Sequence, residues 1–235
     1  MMKLSSILKF VFQNILRIKS FLLRNLNVSG NQMSSVDSFI RRFKYSVNGD
    51  NNLMTLNSVW GTNISIIIDG KGNQIFLSGE ARNCSFEIYG DNNIVELFDI
   101  KYQGVKFIMR GNDCKIHIGQ HSSCGGGRFV VMGKSNEIFI GKDCQFADNI
   151  EIWATDSHPI LISDKVINPN KPVAIGNHVW LGAYVKILKG VTIEDNAIVG
   201  MNSVVTRPIK SKTLNVGYPA QCIKENVDWN RNFLI

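Results

Sequence analysis

The sequence lacks several features that would have directed it to other functions. Its five cysteines, Cys84, Cys114, Cys124, Cys144 and Cys222, are odd in number and include no Cys-x-x-Cys pair. Neither a disulfide framework nor a zinc knuckle fits that pattern. Small buried thiols in a reducing, cytoplasmic compartment are the expectation. The N-terminal apolar run is broken by Lys3, Lys9, Arg17, Lys19 and Arg24, whereas a membrane-spanning helix needs about 20 mostly apolar residues. No small-residue cleavage site follows it, so a secretory signal does not fit either. Acidic residues are absent before Asp37, which puts part of the net charge of +7 in that segment. No dense Lys/Arg run with interleaved aromatics accompanies the charge, so nucleic acid is not an expected partner. An anionic membrane or an anionic small molecule suits it better.

Apolar material for a core is present. Of the 235 residues, 44% are hydrophobic, which argues against wholesale disorder. Within residues 1–26, Leu4, Ile7, Leu8, Val11, Ile15, Ile18 and Leu22 recur at spacings of three and four. That stripe predicts an amphipathic helix over 3–24. Phe10, Phe12 and Phe21 widen its apolar face. Two readings remain: the helix lies on an anionic membrane, giving peripheral contact at the inner face of the cytoplasmic membrane, or its stripe packs on the protein or a partner chain. Residues 26–36 are polar and Gly/Ser-containing, which predicts a linker, assigned here to 27–44.

The remainder repeats. Five similar turns begin at Gly49, Gly70, Gly90, Gly111 and Gly133, spaced 21, 20, 21 and 22 residues apart. Between them stand short β-branched or alternating runs such as Ser65-Ile66-Ile67-Ile68 and Lys115-Ile116-His117-Ile118. Gly and Asn suit positive-φ turns and the runs suit strands, so the period describes a solenoid coil. Downstream the period sharpens into sixes opened by Ile140, Phe146, Ile175, Leu181, Ile187, Ile193 and Val199. Three sixes make a triangular turn whose opening aliphatic stacks on its equivalent one coil away, at a strand spacing of about 4.8 Å. An all-β solenoid over 45–220 follows, with about nine coils at roughly 20 residues each. Residues 221–235 form a C-terminal segment. Residues 154–174 break the pattern as a loop carrying His158, and loops on rigid scaffolds carry function.

The sixes resemble the hexapeptide-repeat acyltransferases, whose fold is a left-handed parallel β-helix. The handedness rests on that resemblance, since the general crossover rule would give a right-handed coil. Five stretches are similar to the bacterial capsular polysialic acid O-acetyltransferases: Ile140 to Cys144, Asp156 to Ile160, Ile175 to Gly182, Ile187 to Val191, and Lys224 to Trp229. The similarity covers roughly residues 136–231. The resemblance implies acetyl transfer from acetyl-CoA to a hydroxyl of a capsular or other surface polysaccharide, a homotrimeric assembly, and a loop histidine as base, matched by His158. A tryptophan sharing the active site is matched by Trp180. Arg207 and Lys224 match basic positions that meet coenzyme A, and Ala183, Met201 and Thr206 match positions along the pantetheine groove. Met201 departs from the family's usual small residue there.

Such chemistry needs few groups. A sugar hydroxyl is a poor nucleophile until a base takes its proton, and imidazole titrates in the right range. The oxyanion formed at the thioester needs a donor, either a backbone N–H or the Trp180 indole. No Cys or Ser sits beside a His at a spacing that implies a covalent acyl-enzyme. No metal is expected. Two other readings stay open: a zinc-dependent carbonic anhydrase on the same fold, drawing on His117 and His121, and a non-catalytic scaffold. His117 alternates with Ile116 and Ile118 and so faces outward. His178 shares a motif with Trp180 but has no expected catalytic role.

Overall fold

Alternation of inward aliphatic and outward polar residues folds this chain into stacked triangular coils. The computed structural model describes residues 21–22, 26–28 and 30–232, and no helix occurs among them. On the first face, Met54, Ile75, Val95, Ile116, Ile138 and Val173 lie in parallel register, one above the next. A second column on that face runs Leu56, Leu77, Leu97, Ile118, Ile140, Ile175 and Ile193. The second face stacks Gly61, Ala81, Tyr102, Cys124, Phe146, Leu181 and Val199. The third stacks Ile66, Phe86, Phe107, Phe129, Ile152, Ile187 and Val205. Where one face offers small residues another offers rings: Phe86 and Phe107 stack at 4.7 Å, and Phe107 meets Phe129 edge-on at 5.4 Å. Apart from Gly61, each of these residues is almost wholly removed from water, and their burial supplies the main driving force for the coil.

The solenoid has about eight turns, against the nine expected from length. Residues 156–172 explain the difference, because they leave the prism and build no coil. Four cysteines are buried in it and Cys222 is exposed.

The corner after the third face is tied by polar groups. Asn52, Asn73 and Asn93 are buried there at the fourth place of successive turns. The Oδ1 of Asn52 accepts from both the backbone N–H and the amide of Asn73, at 2.9 and 3.0 Å. The Asn73 amide also donates to Gly90 O, and its own Oδ1 serves Asn93 in the same way. Asn31 heads this ladder and Cys114 N–H continues it. A buried amide so placed satisfies its own groups and a backbone N–H that the turn leaves unpaired.

Two expectations need correction. The supposed linker at 27–44 is strand: Asn31–Val36 and Phe39–Asn48 pair in parallel with Leu53–Asp69. Most of its polar residues face outward while Met33, Ser38, Ile40 and Phe43 are buried, the Ser38 hydroxyl accepting from Val59 N–H. The expected helix falls mainly outside the described residues, but Phe21–Leu22 at its end is strand, antiparallel to Phe39 and Ile40.

Removing one rung of the ladder tests its worth. Asn73→Ala leaves a buried backbone N–H and the Asn93 amide without their acceptor, so a loss of about 2–4 kcal/mol is expected in urea unfolding. Exposed Lys71→Ala on the same turn should stay within about 0.5 kcal/mol of wild type. Equal losses for the two would remove the ladder from the stability argument.

Candidate active site

The interrupting loop leaves the third face after Ile150–Trp153 and rejoins the first at Val173–Ile175. Its root is fixed by the Asn136 amide, which donates to Ala154 O at 2.7 Å. Ser157 then adopts φ 66° with its N–H on the Thr155 hydroxyl, and the chain turns outward. Further on, Leu161–Ile162 and Lys165–Val166 form a small antiparallel hairpin. Ile160, Leu161, Ile162, Val166 and Ile167 are each at least half exposed along it.

His158 stands exposed on the outgoing arm. Its N–H bonds to Asp156 O at 2.8 Å, and its carbonyl accepts from the Asn168 amide at 3.0 Å. Among the described residues no side chain pairs with its imidazole, which leaves both ring nitrogens open to a ligand. Near the loop root, and unforeseen from sequence, the Trp153 indole N–H bonds Glu151 at 2.6 Å, with the Arg128 guanidinium 4.8 Å over its ring.

Trp180 opens the second face and points outward, anchored by fully buried Leu181. Its indole N–H has no partner among the described residues. Ala183 and Met201 follow at the corner between the second and third faces, joined by Asn202 N–H to Ala183 O at 2.8 Å. Met201 is 70% exposed. Thr206 and Arg207 sit at the corner after the third face, two coils on from the loop root. Arg207 lines a cavity of about 240 Å³ with Pro208, Pro219, Ala220 and Gln221. Lys224 lies in the C-terminal hairpin opposite Leu214 and outside that lining. Thus His158, Thr206 and Arg207 share one edge of the prism, Ala183 and Met201 another, and Trp180 a face between corners. One chain does not bring Trp180 to His158.

The C-terminal segment supplies an arrangement that sequence reasoning missed. After the hairpin of Thr213–Gly217 and Ala220–Glu225, the chain folds back along the second face. Trp229 stacks on His178 at 4.2 Å and stands 6.1 Å from Trp180. The Trp229 indole donates to His178 O, and His178 Nδ1 meets Asp143 at 2.6 Å. Arg231 reaches Asp143, Ser123 and Gln145. Partial burial opposes charge on His178, but the Asp143 carboxylate and the Trp229 carbonyl outweigh it and raise its pKa. His178 therefore braces the neighbour of Trp180.

Two competing chemistries find little footing. Burial pushes the Cys124 thiol up to about 12 and Cys144 up to about 11, far from a thiolate at neutral pH. His117 faces outward as expected, but bonds Glu96 at 3.0 Å and stacks on Phe139. His121 pairs with Asp99. Among the described residues no three His, Cys, Asp or Glu side chains form a metal-binding group.

Comparison with known proteins places the fold among hexapeptide-repeat transferases. The family model described as bacterial transferase hexapeptide (six repeats) matches residues 172–207, the coils that carry Trp180, Ala183, Met201 and Arg207. The polysialic acid O-acetyltransferase of Neisseria meningitidis is 36% identical over 194 residues, covering 80% of this chain and 89% of that protein. Among solved structures, the polySia-specific acetyltransferase NeuO superposes with a TM-score of 0.70 at 30% identity, over 81% of this chain and 89% of that one. The polysialic acid O-acetyltransferase OatWY gives 0.52 at 29% identity, over 86% and 92%.

The His178 brace predicts a pH signature. Its native pKa lies above the ordinary 6.5, so its contribution to stability is fully present below that value. It is lost as pH rises through the native pKa. The gap in thermal midpoint between wild type and His178→Gln should narrow from about pH 6 to about pH 8. A gap of constant size would show that the ring's charge adds nothing to the brace.

Proposed function

This chain belongs to the hexapeptide-repeat O-acetyltransferases, in the family of the meningococcal polysialic acid enzyme, and we propose on that premise that it moves an acetyl group from acetyl-CoA to a hydroxyl of a bacterial surface polysaccharide. A sialic acid-containing glycan is the first acceptor to test. The observation that carries the proposal is His158: an exposed imidazole with an open ring, held by its backbone on a braced loop, on the same edge as Arg207.

In this reading His158 takes the proton of the acceptor hydroxyl as the oxygen attacks the thioester carbonyl. The new C–O bond forms while the carbonyl electrons move to oxygen. The unpartnered Trp180 indole N–H, or a coil backbone N–H, receives that oxyanion. Collapse breaks the C–S bond, and the imidazolium returns its proton to the departing thiolate. Arg207, beside its cavity, meets the anionic nucleotide end of the donor. Imidazole suits both roles because it gains and loses a proton near neutral pH.

The division of groups between edges supports a homotrimer, in which the loop edge of one copy faces Trp180, Ala183 and Met201 of the next. The exposed aliphatics from Ile160 to Ile167 give that contact apolar area that a lone chain leaves in water.

His158→Ala should lower kcat by about 10²–10⁴, with acetyl-CoA KM nearly unchanged. Arg207→Ala should do the reverse, raising acetyl-CoA KM with little loss of kcat. His178→Ala, which loosens Trp229 beside Trp180 but removes no reacting group, should lose far less turnover than His158→Ala. If His178→Ala silences the enzyme while His158→Ala turns over normally, the base lies on the coil and not on the loop.

The shared site makes its own prediction. Unfolding and refolding His158→Ala together with Trp180→Ala should restore part of the activity, because some interfaces then pair an intact histidine with an intact tryptophan. Light scattering that gives a monomer, or mixed subunits as inactive as either parent, would rule out the shared site.

A further inference from the structure

From the contacts of Lys189 we infer that it is a positioning residue for the catalytic loop, holding His158 against the prism from one coil away. The inference rests on His158 being the base. Lys189 belongs to the coil, at the corner just beneath the loop root, and its side chain is 15% exposed. An ammonium has three N–H donors, and all three are used. Nζ reaches Asp156 Oδ2 at 2.6 Å, Asn168 O at 2.7 Å and Pro169 O at 3.0 Å. Those three acceptors lie on both arms of the loop, so one cation closes it at its neck.

The neck passes its order to His158 through two further groups. Asp156 Oδ2 also accepts from the Asn168 amide at 2.8 Å, and that amide donates to His158 O at 3.0 Å. Asn168 Oδ1 takes the N–H of Ile160 at 2.6 Å. The backbone on either side of the imidazole is thus bound to Asn168, and Asn168 and Asp156 are bound to Lys189. The Lys189 contact holds the Asp156 carboxyl below its usual range.

No apolar packing does the same job. Residues 156–167 are all exposed, so the outgoing arm has no side chain in the core. Beyond Ala154, whose N–H bonds Val130 O, the ion pair with Lys189 is the outgoing arm's polar tie to the coils among the described residues. The return arm has its own, from Gly190 N–H to Pro172 O. Asp156 stands two residues before the histidine, but it is engaged below the loop and does not touch the ring. It acts on the backbone of His158, not on its tautomer.

Lys189→Met keeps the aliphatic stem and removes the three donors. Expected are a fall in kcat of about 10–10²-fold, the range for a reacting group displaced by about 1 Å, and an acetyl-CoA KM within about two-fold of wild type. Thermal midpoints should agree, since a loop outside the core melts locally. Amide exchange at His158 and Ile160 should quicken in the variant without any ligand present. In the His158→Ala background, Lys189→Met should cause no further loss, because a positioning residue has nothing left to position.

Three results would overturn the inference: unchanged kcat in Lys189→Met, unchanged exchange at His158 and Ile160, or the same fold loss in the His158→Ala background. A fourth is a simple shift of the acid limb of the kcat pH profile with full turnover recovered above it. That would make Lys189 an electrostatic influence on the imidazole and not a support. Failure of the base reading itself looks different: His158→Ala then keeps full turnover, whatever Lys189→Met does to exchange in the loop.

Discussion

Every part of this molecule depends on one constraint, the coil-on-coil register of a parallel solenoid. Each inward side chain must land on its equivalent one turn away, about 4.8 Å along the axis. A slip of one residue would turn the whole inward set to solvent. Aliphatic columns such as Leu56, Leu77, Leu97 and Ile118 favour the stack but tolerate small shifts. The ladder of Asn52, Asn73 and Asn93 does not, because each amide must meet one particular N–H of the next turn. Hydrophobic burial drives the coiling, and the buried amides fix its register.

That constraint explains what could be read in the sequence. The sixes opened by Ile175, Leu181, Ile187, Ile193 and Val199 were legible because a tight coil leaves one allowed residue type at each inward place. The turns at Gly49 to Gly133 were legible by period, although the structural reason for their fourth residue was not. Residues 27–44 were misjudged for a physical reason. Gly30 and Asn31 give a linker-like signal, yet Asn31 is the first rung of the ladder. Only three inward apolar residues, Met33, Ile40 and Phe43, mark the strands that follow.

The candidate site was legible residue by residue but not as an assembly. His158 announced itself by interrupting the repeat, and Trp180, the last residue of the six opened by Ile175, by its match to the family's active-site tryptophan. What the hexad period also says, once the triangle is built, is that residues at different places in the six stand on different sides of the prism. His158 leaves from the corner after the third face, and Trp180 opens the second face. A rigid prism has no hinge that could close that gap. Groups so separated in one copy act together only across two, and the exposed aliphatic hairpin beside His158 is the surface such a contact would cover.

In the proposed site the two principal side chains face the same difficulty, since each would have to be open to ligand and yet held still. They meet it in different ways. Trp180 is backed by Leu181 in the core and flanked by Trp229, which is clamped by His178, Asp143 and Arg231. This brace is aromatic and charged, and it comes from the end of the chain. His158 has no core neighbour, and its loop is tied at the neck by Lys189 through Asp156 and Asn168. This brace is wholly polar. Both join segments far apart in sequence, with Asp143 and Arg231 separated by 88 residues. No local pattern could have revealed either. His178 illustrates the point: it lies two residues from Trp180, and its ring serves that tryptophan indirectly, by fixing the indole beside it.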